Sequence, residues 1–350
     1  MQYFLECTNC GKQYESDYDS QICSKCDGIL EVVYKKKMPK VEKLSSFWDL
    51  EKVMPESNYK HFWLGITPTI KSVSDKRLKL KLEFMNPTHS FKDRGSAIEM
   101  AKAYEYGFKE VTCASTGNMA YSISYYAKLY GLRVKVFISD NANEDKIKDI
   151  KSVGDADVEK VNGDFTKAQA MATKYSKTHG AFLCGDYCYR KEGQKSIAYE
   201  ICTSSLETDN IIVPVGNATL LSATYKAIHE LKESRSIKRA PRLIGVQSDK
   251  CKPLVTAFSK GSKIKYQKPM TNADAIAVGY PTYGTQAIEA LEKTSGSAIA
   301  VSEASLIKEQ KAFMENYGLT AELASVSVIA AYKLLKPGGQ SVAVITGANV

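Results

Sequence analysis

Two groups of residues in this chain have types and spacing that can do chemistry. The first is Cys7-x2-Cys10 followed, after twelve residues, by Cys23-x2-Cys26. Paired knuckles of this kind present four thiolates that can close a tetrahedral zinc site. Gly11 and Gly28 follow the knuckles and permit the tight backbone that brings sulfurs together. Disulfides are the other use of such cysteines, but a cytosolic setting disfavours them. Four sulfurs leave no coordination position open, so the metal is expected to be structural. A segment of about 30 residues cannot build a sufficient core, and metal binding would supply its folding energy. The other five cysteines are Cys113, Cys184, Cys188, Cys202 and Cys251; apart from Cys184-x3-Cys188 they lack ligand spacing, and none is assigned chemistry.

The second group centres on Lys92, in Ser90-Phe91-Lys92-Asp93-Arg94-Gly95. Residues 77–84 alternate and read as a strand, which Asn86-Pro87 ends. Ser90 can cap the helix that follows, and Asp93 suits its first turn. Lys92 then stands where helix N–H groups and their dipole converge. That field opposes an ammonium and lowers its pKa, which suits an amine that attacks an aldehyde. Three later stretches have the same strand-then-turn layout. They are 111–118 with Ser115-Thr116-Gly117-Asn118, 211–218 with Gly216-Asn217-Ala218, and 342–347 with Thr346-Gly347.

Positioning these residues requires alternating elements. A helix from Asn118 is expected to run to Tyr130 and stop at Gly131. Strand 133–138, helix 144–153 ending at Gly154, strand 157–161, helix 166–177 and strand 181–184 follow. A short helix is expected at 47–53, and Lys195 should enter a long helix. Further strands are read at 211–215, 243–246, 297–301 and 342–346, with a poorly periodic loop at 260–280. Such alternation implies parallel sheets covered on both faces. The expected domains are a zinc ribbon at 1–34, a small α/β domain at 93–185, and a large domain formed by 35–92 with 186–350.

Composition narrows the function classes. The 350 residues are 44% hydrophobic and 25% charged, ordinary for a globular protein. No apolar run reaches the roughly 18 residues of a membrane span, and the first residues lack a signal-peptide layout. A cytoplasmic protein is expected, with no membrane partner. The net charge of +9 invites a nucleic-acid reading, but the lysines are dispersed apart from Lys35-Lys36-Lys37 with Lys40. No nucleic-acid partner is therefore expected. There is no Gly-x-Gly-x-x-Gly and no Walker-type phosphate loop.

Taken in order, the four motifs resemble threonine synthase, a pyridoxal-phosphate enzyme of the tryptophan-synthase-β fold type, across nearly the whole chain. Gly65-Ile66-Thr67-Pro68, Arg190-x-Glu192-Gly193-Gln194-Lys195 and 320–325 are similar to further stretches of that family. Some members also carry a zinc ribbon ahead of the catalytic body. The resemblance implies a two-domain α/β body binding pyridoxal 5′-phosphate, an amino-acid substrate and a homodimer. Lys92 would link to the coenzyme's aldehyde and later move protons. Asn118 would face the coenzyme's 3′-oxygen. Ser115, Thr116, Gly117 and Met119 would hold the substrate's α-carboxylate at a helix start. Gly216, Asn217, Ala218, Thr219 and Leu220 would bind the coenzyme phosphate, although Thr219 and Leu220 replace a family glycine and asparagine. Thr346 would face the pyridine nitrogen.

One pocket departs from the family. Threonine synthases carry Gly-Asn-Phe-x-x-Ala-x-Arg where this chain has Gly163-Asp164-Phe165-Thr166-Lys167-Ala168-Gln169-Ala170. That asparagine and arginine bind the substrate's phosphate. Family asparagines are also missing from Cys184-Gly185-Asp186-Tyr187-Cys188. A carboxylate about 4 Å from a phosphate charge costs up to ~4 kcal/mol at an effective dielectric of 20. Conversion of O-phosphohomoserine and water to threonine and phosphate is the leading expectation. The alternative is elimination or β-replacement on an unphosphorylated amino acid, as in a deaminase or a cysteine synthase, with Asp164 binding substrate. A third reading is a non-catalytic zinc-ribbon interaction protein.

Overall fold

Leu78–Leu82 reads Leu-Lys-Leu-Lys-Leu, an alternation that promises one dry and one wet face, yet all five residues are buried. The two lysines are tolerated because each ammonium finds oxygen partners. Lys81 meets the Glu200 carboxylate and the Thr67 carbonyl, and Lys79 donates to the Glu207 carbonyl at 3.1 Å. Burying a charge without such partners would cost far more than the strand gains. The strand stops two residues earlier than the alternation suggests, because Glu83–Met85 turns as a 3-10 helix.

The computed structural model describes every residue except Thr116, 140–143, 154–155, Asp164, Ser205 and Val350. The chain divides into two compact units, Met1–Lys37 with Leu50–Leu64 and Lys92–Gly193, and Met38–Asp49 with Gly65–Phe91 and Gln194–Val350. In the second unit, Leu78–Leu82 belongs to a six-stranded sheet. The order is Ser297–Val301, Arg242–Ser248, Asn210–Pro214, Ser341–Ile345, Leu78–Leu82, Thr69–Lys71. All pairs are parallel except the last, an antiparallel edge. A core of Leu78, Leu80, Ile212, Ile244, Val246, Val328, Ala343 and Ile345 packs against it.

The first unit holds two sheets. Tyr3–Cys7 lies between Gln13–Glu15 and Leu30–Tyr34 in an antiparallel sheet that frames the cysteines. The other sheet is fully parallel, in the order Ala156–Val161, Arg133–Ser139, Glu110–Ala114, Phe182–Leu183. Helix Asn118–Tyr130 ends at Gly131, whose φ of 70° is the left-handed stop that glycine supplies without penalty. Helices Glu144–Val153 and Phe165–His179 occupy the expected places, while the expected stop at Gly154 lies outside the described residues. The long helix expected around Lys195 is instead two short ones, Cys188–Gln194 and Ser196–Thr203. Between them Lys195 turns its buried ammonium to Glu230 at 3.0 Å.

Candidate active site and cysteine cluster

In the first unit, helix Lys92–Glu105 starts on the lysine itself, with Asp93 in its first turn. Ser122, in helix Asn118–Tyr130, donates to Asp93 at 2.7 Å and to or from Ser96 at 2.8 Å, so the early turns of these two helices are tied together. Helix Lys92–Glu105 also meets helix Cys188–Gln194 at very close range. A Cβ on Gly95 would lie 2.5 Å from Arg190 Cγ, and one on Gly193 would lie 1.9 Å from the Arg94 carbonyl oxygen. Both motif glycines are thus required by the approach of these helices.

Arg190 exploits that approach. It is fully buried, and its guanidinium donates to the Lys92 carbonyl at 3.2 Å, the Gly185 carbonyl at 2.9 Å and Ser96 at 3.1 Å. It also pairs with the buried Glu99 carboxylate, which accepts from the Gly185 N–H at 3.0 Å. Burial pushes the Glu99 carboxyl up, and Arg190 opposes that push. The consequence is a fixed backbone at Lys92 and a fixed loop at Gly185. The next residue, Asp186, places its carboxylate 3.9 Å from Lys92 Nζ. Sequence reasoning expected only the helix-start field at this amine. The carboxylate acts against that field by attracting the ammonium. Asp186 was legible only as a missing family asparagine segment; no spacing marks it as a partner of Lys92.

Of the residues expected at the substrate carboxylate, Ser115 and Gly117 lie between strand Glu110–Ala114 and helix Asn118–Tyr130, and Met119 lies in that helix's first turn beside Asn118, the residue expected at the coenzyme's 3′-oxygen. The Gly117 N–H reaches Ser115 Oγ at 3.4 Å. Strand Phe182–Leu183 is the parallel neighbour of Glu110–Ala114, so this turn and the Asp186 loop leave the carboxyl ends of adjacent strands. Ligand sites of open parallel sheets form there. Thr116 and Asp164 lie outside the described residues. Ala170 is exposed on helix Phe165–His179.

In the second unit, Gly216, Asn217 and Ala218 form the turn between Asn210–Pro214 and helix Thr219–Glu233, with Thr219 and Leu220 opening the helix. The left-handed conformation of this turn falls on Ala218, at φ 65°, and not on Thr219. A Cβ on Gly216 would lie 2.8 Å from the Ala275 carbonyl oxygen. After Lys260, which closes helix Pro253–Lys260, the stretch to Tyr280 has the single 3-10 turn Asp274–Ile276, and Ala275 of that turn lies against Gly216. Just beyond it, the Tyr283 N–H donates to the Asn217 carbonyl at 2.9 Å. Thr346 Oγ1 lies 2.9 Å from the hydroxyl of Ser325, in helix Leu323–Leu335. The Gly-x-Thr-Pro stretch clamps the turn before Phe91. The Gly65 N–H donates to Asn86 Oδ1 at 3.2 Å, and Thr67 Oγ1 donates to the buried Glu83 at 2.6 Å.

The ligand atoms of Cys7, Cys10, Cys23 and Cys26 all lie within 4.8 Å of one another. Sulfur separations are 3.5 Å for Cys7 with Cys26 and 3.7 Å for Cys10 with Cys23. A tetrahedral ion with metal–sulfur bonds of about 2.3 Å needs sulfurs about 3.8 Å apart, so the donor set fits a metal. Burial pushes the Cys23 thiol up, but bonds from the Tyr14 hydroxyl and the Lys25 and Cys26 N–H groups bring it down to about 6. The other five cysteines form no disulfide.

Residues 62–347 match the family of pyridoxal-phosphate dependent enzymes. Over 95% of its length the chain is 35% identical to a threonine synthase of Methanocaldococcus jannaschii and 33% identical to one of Methanosarcina acetivorans, spanning 87% of each. Maize serine racemase superposes with a TM-score of 0.72 at 21% identity, covering 81% of this chain and 88% of that one, a likeness of fold. The residues present suit pyridoxal phosphate. Its aldehyde asks for a primary amine such as Lys92, and its phosphate for a close backbone approach of the kind that Gly216 permits. No helix among the described residues is long and apolar enough to cross a membrane.

Proposed function

The chain belongs to the pyridoxal-phosphate-dependent enzymes, with fold type II and threonine synthases as homologues, and on that premise we propose that it converts O-phosphohomoserine and water to threonine and phosphate. The observation that carries this is the 33–35% identity to two threonine synthases over 95% of the chain. In the reaction the Cγ–O bond to phosphate breaks, Cβ gives up a proton, Cγ gains one to become the methyl group, and water adds its hydroxyl at Cβ. The bound coenzyme supplies an electron sink for charge at the α-carbon. Lys92 holds the coenzyme's aldehyde through its ε-amine and, once released, moves the α-proton. Asp186 orients that amine. Asn118 donates to the coenzyme's 3′-oxygen, and Ser115, Thr116, Gly117 and Met119 take the substrate's α-carboxylate. Gly216, Asn217, Ala218, Thr219 and Leu220 take the phosphate of the coenzyme. Thr346, held by Ser325, faces the pyridine nitrogen with a neutral hydroxyl.

The domain reading extends the proposal: 35–92 with 186–350 as the coenzyme domain, 93–185 as the small domain, and 1–34 as a ribbon holding zinc on Cys7, Cys10, Cys23 and Cys26. A cytoplasmic homodimer completes it. Nine cysteines without a disulfide suit a reducing compartment.

A second reading is an enzyme for an unphosphorylated amino acid, a deaminase or a β-replacement enzyme. It is favoured by the Asp186 carboxylate 3.9 Å from Lys92 Nζ, added to Asp164 and Ala170 in place of phosphate-binding residues. Borohydride treatment should fix the coenzyme on Lys92, and Lys92→Ala should lose that adduct and all turnover. Steady-state kinetics then decide between substrates. Turnover of O-phosphohomoserine should be weak and should improve with Asp164→Asn plus Ala170→Arg. Efficient wild-type turnover abolished by the double change would mean that the phosphate pocket is built elsewhere. No turnover by either protein would leave the second reading standing.

A further inference from the structure

We propose that Gln21, inside the cysteine segment, is a positioning residue for Lys92, acting by clamping both ends of the 184–187 loop that carries Asp186. This rests on the reading that Lys92 holds the coenzyme. Gln21 stands two residues before Cys23 and is 3% exposed. Its Nε2 donates to the Leu183 carbonyl at 3.0 Å, on the last residue of strand Phe182–Leu183. Its Oε1 accepts from the Tyr189 N–H at 3.2 Å and from the Cys188 thiol at 3.6 Å, in the first turn of helix Cys188–Gln194. One amide therefore bridges the exit of the strand and the entry of the helix. Between those points lie Gly185, bound to Glu99 and Arg190, and Asp186, facing the lysine amine.

An apolar side chain could fill the same volume. It would leave the Leu183 carbonyl and the Tyr189 N–H buried without partners, and the loop between them would gain freedom. Other bonds from the cysteine segment to this helix fall past the loop. The Tyr3 and Tyr189 hydroxyls lie 3.1 Å apart, Glu31 pairs with Lys191 at 2.6 Å, and the Tyr34 hydroxyl donates to Glu192. The two sets of contacts can therefore be separated by substitution. Because the cysteine cluster orders Cys23, it also orders Gln21, and the metal segment becomes part of the support for the catalytic amine.

The test uses full-length holoenzyme. In Gln21→Met, metal content and a cooperative melt should be retained. Hydroxylamine should strip its coenzyme about tenfold faster than from wild type, the scale of losing two neutral hydrogen bonds. Its coenzyme absorbance band should shift as well. Lys191→Met, which cuts the neighbouring ion pair without touching the loop, should leave both readouts near wild type. Should the methionine variant not fold, Gln21→Glu, which keeps the Oε1 acceptor and loses the donor, is judged by the same two readouts. The proposal is overturned if the Gln21 variant matches wild type or if Lys191→Met moves both readouts equally. If borohydride leaves no coenzyme on Lys92 of the wild type, the proposed function fails, and this inference fails with it.

Discussion

Around Lys92 the protein is held by side chains; around Gly216 it is held by backbone. The lysine's carbonyl, the 184–187 loop and the start of helix Lys92–Glu105 are tied by Arg190, Glu99, Ser96 and Gln21, contributed by three separate stretches. The turn at 216–218 is tied by main-chain donors and acceptors, a left-handed Ala218 and the close carbonyl of Ala275. A site made of N–H groups tolerates Thr219 and Leu220, because any residue carries the donor. A site made of a side-chain network tolerates less, because removing one partner leaves the others buried and unpaired. The contrast teaches that a conservative-looking change can be severe in one place and mild in the other.

The largest break in that contrast should come from Arg190→Met. It leaves Glu99 buried without its cation, a loss of about 3–5 kcal/mol by analogy with other buried pairs. Urea unfolding measures it, and a loss below 1 kcal/mol would show that the network is redundant. Gly216→Ala should do less to stability and more to binding. The added methyl meets a backbone oxygen, so the turn must shift, and coenzyme affinity should fall roughly tenfold while the unfolding midpoint hardly moves. Unchanged affinity would mean that the turn is more pliable than its geometry implies. The smallest effect is a gain. Ala218→Gly relieves a left-handed alanine, worth about 1–2 kcal/mol, against the ~0.4–1 kcal/mol that glycine loses to unfolded-state freedom. A net stabilisation of a few tenths to one kcal/mol should appear in the same urea experiment; destabilisation would show that the methyl's packing outweighs the strain.

The parts of the site that sit on local chain signals were legible. Knuckle spacing placed the cysteine cluster, and Gly131 marked the end of helix Asn118–Tyr130. Lys92 was expected near a helix start and opens one. What could not be read were partnerships between distant residues. Asp186 and Lys92 are far apart in sequence, as are Gln21 and Leu183, and no periodicity reports on such pairs. The same limit hides why Lys81 can be buried in Leu78–Leu82, since its carboxylate partner, Glu200, lies more than a hundred residues on.

The strand order of the six-stranded sheet has a consequence for biosynthesis. Ser341–Ile345, the last of its strands along the chain, lies in the interior between Asn210–Pro214 and Leu78–Leu82. Until it leaves the ribosome, the nascent chain carries two apolar strand edges with no neighbour to cover them. Such edges are templates for aggregation, and both stay uncovered while elongation runs from residue 214 to residue 341.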